Sequence, residues 1–206
     1  MELPANHIIL RGSLICLPQF SHENPGRRFF RFSLEVPRLS GTVDTLPVLA
    51  QEDVLNAMEL SDGEMLTVTG QVRSHNVRID GKRRLLIFVF AELILCEDGE
   101  PLNEVTLSGP ICREPTYRRT PLGREICDVM LAVPRDFRRA DYLPCILWGR
   151  TAQECAQYHT RDVLHITGRL QSRSYTKVTD SGSEERTAYE ISALSAQRIL
   201  PEADSE

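Results

Sequence analysis

The sequence of 206 residues has almost no lysine, no long apolar run and no closely spaced cysteines. No segment approaches the roughly 18 consecutive apolar residues of a membrane-spanning helix. The N-terminus lacks the basic start and apolar core of a secretory signal. We therefore expect a protein of the cytoplasm that does not enter a membrane.

The chain also lacks the residue patterns of enzymes and metal sites. Its six cysteines never form a Cys-x-x-Cys pair, and most lie inside apolar runs, which is typical of reduced, buried thiols. The five histidines are scattered and show no metal-ligand spacing. There is no Gly-x-Ser-x-Gly motif, glycine-rich phosphate loop or Walker-type lysine. We expect neither enzyme activity nor a metal or other cofactor.

Arginine supplies nearly all of the positive charge, because Lys82 and Lys177 are the only lysines. The planar guanidinium suits both phosphate binding and stacking on bases, but GC-rich coding would also favour arginine. The net charge of −5 argues against indiscriminate polyanion binding and still permits a local basic groove. Composition alone leaves these alternatives open.

An internal repeat divides the chain into two copies. Residues 6–50 align with residues 103–147 without a gap, and both segments contain the pattern Leu-x-Val-Pro-Arg. A later match continues this alignment after one inserted residue. The repeat predicts a tandem duplication with domains at residues 1–102 and 103–206.

Each copy has the element order strand, strand, strand, helix, strand, strand. In the second copy, the apolar residues from Cys127 to Val133 alternate with other residues, as in a half-buried strand. Residues 149–158 place small apolar side chains at helical spacing. This order is that of the OB-fold. We therefore predict an all-β protein with short helices, built from two tandem five-stranded OB-fold barrels.

The second copy resembles the bacterial single-stranded DNA-binding proteins. Its segments Asn103-Glu-Val-Thr-Leu-Ser-Gly, Leu147-Trp-Gly and Ile166-Thr-Gly-Arg-Leu fall at the spacings of that family. The resemblance covers almost all of residues 103–200, whereas the first copy resembles the family only through the second. It implies sequence-tolerant binding of single-stranded DNA, or of RNA, in replication, recombination or repair in the bacterial cytosol.

The resemblance implies that aromatic side chains stack on bases while neighbouring arginines contact phosphates. Tyr142 and Trp148 are six residues apart on one strand and so share a face. A lone tryptophan in an apolar run is also common in protein cores, and Arg118 reads as an ordinary solvated charge. The predicted nucleic-acid-binding residues are Phe137, Tyr142, Trp148, Tyr175, Arg138, Arg139, Arg169 and Arg173.

The first copy lacks the corresponding aromatics, since Thr45 and Val77 occupy two of the positions. We interpret it as a degenerate copy that serves assembly and some backbone contact. Its second strand is predicted to point Phe29 and Arg31 outward, and Asp80-Gly81 predicts a hairpin turn. The accessory nucleic-acid-binding residues, ranked below those of the second copy, are Phe29, Arg31, Arg78, Lys82, Arg83 and Arg84.

The resemblance also bears on partners. Single-barrel members of the family assemble four OB-folds, which implies a homodimer for a chain with two barrels. The alternative is a monomer whose halves cover each other's sheet edges. Residues 199–206 are acidic but lack the family's long linker and terminal phenylalanine, so recruitment of other proteins by a tail is not expected. A second hypothesis is a primosome-like assembly module that binds nucleic acid weakly.

Overall fold

A computed structural model describes residues 5–55, 58–79, 81–179 and 182–200. Strands dominate these ranges, and they are joined by two short helices and one 3-10 turn at Asp136–Arg138. The elements are β1 Asn6–Leu14, β2 Gln19–Asn24, β3 Arg27–Pro37, β4 Val43–Gln51, α1 Glu52–Leu55, β5 Met65–Ile79, β6 Lys82–Cys96, β7 Leu102–Pro110, β8 Thr116–Arg119, β9 Glu125–Arg135, β10 Arg139–Trp148, α2 Gly149–Cys155, β11 Val163–Thr179 and β12 Gly182–Ile199.

The two copies repeat one strand order. In the first copy the order is β2-β3-β4-β6-β5-β1, and in the second it is β8-β9-β10-β12-β11-β7. In each copy one pair is parallel, β4 with β6 and β10 with β12. The first barrel is closed by pairing of β1 with β3, and the second by a bridge between Ile111 and Leu131. The prediction of tandem OB-folds is confirmed.

Alternation along β9 and β11 builds the core of the second copy. Val129 and Leu131 of β9 are at most 1% exposed, and Leu164 and Ile166 of β11 are fully buried. The intervening side chains face the other side of the sheet, because successive residues of a strand point to opposite faces. The predicted apolar face is therefore the core face.

Strands β2 and β8 were not predicted. Thr116–Arg119 is exposed along its whole length, so it has no apolar alternation to reveal a strand. It forms a strand because it pairs antiparallel with β9. The helix predicted over residues 149–158 also ends earlier, at Cys155. Neither of the two helices that the structure describes is long and apolar enough to cross a membrane.

Two glycines at equivalent positions of the copies allow close approach of neighbouring strands. A Cβ atom on Gly70 would lie 2.0 Å from the carbonyl oxygen of Phe90, and one on Gly168 would lie 2.3 Å from that of Ser192. A register shift in the β5–β6 pair falls directly before Gly70. Glycine therefore permits the local bend that curves each hairpin into its barrel.

The chain forms two compact units that do not follow the repeat boundary. One contains residues 5–6, 105–169 and 191–200, and the other contains residues 7–104 together with the chain from residue 170 to residue 190. The outer part of the β11–β12 hairpin thus belongs to the unit that holds β1 to β6. The division at residues 102 and 103 stays a prediction for independently folding halves.

Three of the six cysteines are buried and three are exposed, so the expectation that most are buried is wrong. Burial raises the thiol pKa of the buried residues, to about 12 for Cys155. The exposed group lies outside the barrel cores, in or beside loops and at a strand end. The buried cysteines are Cys127, Cys145 and Cys155, and the exposed ones are Cys16, Cys96 and Cys112.

Candidate nucleic-acid interface

The outer face of β10 presents two aromatic side chains to solvent. Tyr142 is 44% exposed and Trp148 is 37% exposed. Leu143 and Leu147, on the opposite face of the same strand, are fully buried. The strand therefore orients both aromatics away from the core, as the six-residue spacing predicted.

Trp148 is held in a fixed orientation on this face. Its indole Nε1 donates a hydrogen bond to Ser192 Oγ at 3.1 Å. The backbone pairs Trp148 with Ile126 of β9, so the two side chains are neighbours on the same face. The alternative that Trp148 is a core residue is wrong, because its indole lies at the end of β10 and is 37% exposed.

Phe137 lies at the tip of the β9–β10 hairpin and is 91% exposed. Its φ of 61° and that of Arg138, 55°, both fall in the left-handed region that favours glycine. Strained, exposed backbone of this kind is concentrated at functional sites. Phe137 thus projects into solvent between charged residues, as expected from its polar surroundings in the sequence.

The arginines around these aromatics differ in their surroundings. Arg138 and Arg139 are exposed at the hairpin tip, whereas Arg169 on β11 is half-buried. The buried Nε of Arg169 has no hydrogen-bond partner among residues 5–55, 58–79, 81–179 and 182–200. A buried donor without a partner is uncommon in proteins, and an anion at this position would satisfy it.

Arg118 belongs to the same face, although we interpreted it from the sequence as an ordinary solvated charge. It pairs with Ile126, which pairs in turn with Trp148 one strand further on. Its Nε donates to Asp128 at 2.8 Å, so this carboxylate is paired with a cation. Only the register of β8 against β9 reveals this position, and β8 carries no strand signal of its own.

Tyr175 and Arg173 lie on the outer part of the β11–β12 hairpin, in the unit that holds β1 to β6. The guanidinium carbon of Arg173 is 5.6 Å from the ring centroid of Tyr175, which is 39% exposed. Arg173 Nε also lies 3.5 Å from the buried Glu190. On the facing strand, Arg186 donates to Glu184 and lowers the pKa of that carboxyl. The hairpin thus presents an aromatic and a cation side by side.

Phe29 of the first copy is not the exposed side chain that was predicted. It is 8% exposed, because residues from two other strands cover it. The ring of His22 stacks on it at 4.7 Å with an interplanar angle of 8°, and Phe90 lies 6.5 Å away. Arg31, on the same face of β3, is exposed as predicted.

The first copy carries a different aromatic surface from the second. Gln51, the counterpart of Trp148, pairs with Phe29 across β3 and β4. The aromatics of this face come instead from β2, β3 and β6, and the guanidinium of Arg73 lies 5.7 Å from the Phe90 ring centroid. The alternation of β6 predicts the face on which the half-buried Phe90 lies. It does not predict which side chains Phe90 contacts.

The basic hairpin of the first copy is present. Ile79 pairs with Lys82, so a two-residue turn joins β5 to β6, although Asp80 lies outside the described residues. Arg78 pairs directly with Arg83, and like charges in such a pair repel each other. The last accessory residue, Arg84, is half-buried, and its Nε has no partner within the described ranges. These cations concentrate positive potential at one tip.

Within the part of the chain that the structure describes, no group of three or more histidine, cysteine, aspartate or glutamate residues could hold a metal ion. The described faces of the second copy present exposed aromatic rings and guanidinium groups. Together these groups can stack on planar rings and bind anions.

The second copy is similar in sequence to known proteins. A sequence model of the single-strand binding protein family matches residues 102–199. Single-stranded DNA-binding protein B of Bacillus subtilis is 38% identical over 80 residues, which are 35% of this chain and 71% of that protein. The single-stranded DNA-binding protein of Halalkalibacterium halodurans is 35% identical over 109 residues, 48% of this chain and 62% of that protein. This chain thus spans less than two thirds of the second relative.

Solved structures show the same architecture over both copies. The single-stranded DNA-binding protein from Thermus aquaticus superposes with a TM-score of 0.80 and 23% identity, covering 98% of this chain and 96% of that one. The tandem OB-fold is therefore shared along the whole length. The chain belongs to the single-strand binding protein family.

Proposed function

We propose that this protein binds single-stranded DNA without reading its sequence, in replication, recombination or repair. One observation carries the proposal: Trp148 is anchored by Ser192 on an outer sheet face yet remains 37% exposed. An immobilised, solvent-facing ring loses little freedom when a base stacks on it. Stacking tolerates every base, because each has a π-face.

The second copy supplies the principal contacts in this proposal. Tyr142, Trp148 and Phe137 are exposed aromatics, and we assign phosphate contacts in this copy to Arg138, Arg139 and Arg169. In the other unit, Tyr175 and Arg173 provide one more ring and cation. Phosphate contacts by these arginines would make binding depend on salt, because each contact releases condensed counterions.

The first copy has an accessory role in the proposal. Phe29 is covered by His22, so it could stack on a base only after that imidazole moves. Arg31 and the hairpin residues Arg78, Lys82 and Arg83 are exposed and suited to backbone contacts. We therefore expect this copy to contact phosphates more than bases.

The only tryptophan of the chain provides the test. Oligo(dT) should quench the emission of Trp148 in a saturable manner, and the same bases in duplex form should quench it far less. A matched variant, Tyr142→Ala, keeps the reporter and should require more oligo(dT) for half-maximal quenching. If emission does not change at concentrations where binding is detected by another signal, Trp148 does not stack on bases.

The hypothesis of a primosome-like assembly module with weak nucleic-acid binding is not favoured by the family assignment. The same titration separates the two functions, since an assembly module would leave Trp148 emission almost unchanged. The family relationship also supports action in the bacterial cytosol, where single-stranded DNA is exposed.

Self-association into a homodimer is a further part of the proposal. On the outer face of β6, Leu93 and Leu95 are 49% and 40% exposed, next to Thr69 and Thr67 of β5. We infer that a second copy of the chain covers this apolar pair. Light scattering coupled to size exclusion should give a mass of twice 23.3 kDa. A mass of one chain at micromolar concentration would favour the monomer.

A further inference from the structure

A buried carboxylate of the first copy contacts the strand that carries Arg173 and Tyr175. Asp44, at the start of β4, is fully buried. Its Oδ1 accepts hydrogen bonds from the backbone N–H of Ser172 at 2.7 Å and from the Ser172 hydroxyl at 3.0 Å. These bonds join residues separated by 128 positions in the chain, within one compact unit.

Arg38 completes this contact from the end of the preceding strand. Its Nε donates to Asp44 Oδ2 at 2.7 Å, and its Nη2 donates both to Asp44 Oδ1 at 2.5 Å and to the carbonyl oxygen of Ser172 at 2.9 Å. The backbone N–H and C=O of Ser172 are therefore both bound by side chains of the first copy. The bond to Asp44 is also the main cause of the raised pKa of Arg38.

Further charged side chains lie between this contact and the ring of Tyr175. Glu190, buried on β12, raises the pKa of Arg38 and accepts a hydrogen bond from Gln171 at 2.9 Å. The same carboxylate oxygen lies 3.5 Å from Arg173 Nε, and Arg173 lies over Tyr175. One row of alternating charges thus extends from Asp44 to the guanidinium that stacks on Tyr175.

We propose that Asp44 is a positioning residue for nucleic-acid binding: by fixing the backbone of Ser172 it holds Arg173 and Tyr175 in the orientation that accepts a base and a phosphate. The inference rests on the proposed function. Asp44 itself is buried and touches no nucleic acid. A copy interpreted as degenerate therefore supplies the support for a binding element of the other copy.

The repeat contains a related ion pair, which argues that this pair is an old feature of the fold. Arg38 and Asp44 align with Arg135 and Asp141. Asp141 is likewise fully buried, and its Oδ1 lies 3.4 Å from Arg135 Nη1. The pair at Arg38 and Asp44 is the shorter of the two, and it is the one that fixes Ser172.

The test is a set of affinities for fluorescein-labelled oligo(dT), measured by anisotropy on the full chain. Asp44→Ala should weaken binding about five- to tenfold, the loss expected when one base stack is impaired. In a background that already lacks Arg173 and Tyr175, the same substitution should cost less than about twofold, because coupled residues are not additive. The control Asp162→Asn breaks an ion pair with Arg198 of 2.7 Å elsewhere and should leave affinity within about twofold.

Hydrogen exchange gives a second signal, which requires no DNA. Asp44→Ala should accelerate amide exchange from residue 172 to residue 178 more than in the rest of β11. If Asp44→Ala does not fold, Arg38→Gln is carried through the same measurements with the same expectations. Full additivity with the Arg173 and Tyr175 substitutions, or unchanged affinity in a folded variant, would overturn the inference.

These results also separate the inference from the proposed function. If the unsubstituted chain fails to bind oligo(dT), the proposed function is wrong. If it binds, and Tyr175→Ala weakens binding while Asp44→Ala does not, then only the positioning role is wrong.

Discussion

Replacing Trp148 with alanine should separate binding from folding. A fully buried aromatic replaced by alanine costs about 3–5 kcal/mol of stability. Trp148 keeps 37% of its surface in water and makes one hydrogen bond, to Ser192. We therefore expect the free energy of unfolding to fall by about 2 kcal/mol, which a folded domain of this size tolerates.

Trp148→Ala should also weaken the binding of single-stranded DNA. One base stack contributes about 1–3 kcal/mol to the binding free energy, so its loss should increase the dissociation constant roughly 5- to 150-fold. The assay is the anisotropy of labelled oligo(dT), since Trp148→Ala removes the intrinsic fluorophore. Urea unfolding followed by circular dichroism measures the stability of the same preparation.

Two matched variants show which property of Trp148 matters. Trp148→Phe retains a stacking ring and should bind within about fivefold of the unsubstituted chain. Ser192→Ala removes only the acceptor of the indole N–H, so the ring remains and affinity should fall by less than about threefold. If Trp148→Ala is folded and binds oligo(dT) as tightly as the unsubstituted chain, the assignment of Trp148 as a stacking residue is refuted.

Three further predictions follow from individual side chains. Arg173→Ala should reduce the slope of log affinity against log salt by about 0.7, the value for one phosphate contact on a single strand, whereas an unchanged slope would mean that Arg173 contacts no phosphate. Phe137→Gly should increase the free energy of unfolding by about 1 kcal/mol by relieving the left-handed backbone, while weakening DNA binding; a loss of stability would show that the exposed ring packs against something. A thiol reagent at pH 8 should modify the three exposed cysteines of the native protein well before the three buried ones, because the reagent cannot reach the buried sulfur atoms, and burial also keeps the thiols of Cys145 and Cys155 neutral. Rapid modification of all six would contradict the described packing.

The sequence alone predicted those properties that depend on a single strand. Period-two alternation around Leu131 predicted the core face of β9, and spacing alone placed Tyr142 and Trp148 on one outward face. The internal repeat then carried the fold from the second copy to the first. These features are local, so no knowledge of strand pairing was needed.

Features that depend on pairing between distant strands were not predictable in this way. Phe29 faces outward as its position in the strand requires, yet His22 and Phe90 cover it from β2 and β6. The bonds between Asp44 and Ser172 likewise join residues far apart in the chain. Local alternation specifies the side of a sheet, whereas burial depends on what the neighbouring strands bring to that side.

Affinities for single-stranded and duplex DNA of identical sequence show whether the chain prefers single strands. The oligonucleotide should be about 35 nucleotides long, enough for two OB-folds at up to about 16 nucleotides each. With the full chain at physiological salt, we predict tight binding of the single strand and binding of the duplex that is weaker by at least about 100-fold. Equal affinity for both forms, or no binding of the single strand, would contradict this prediction.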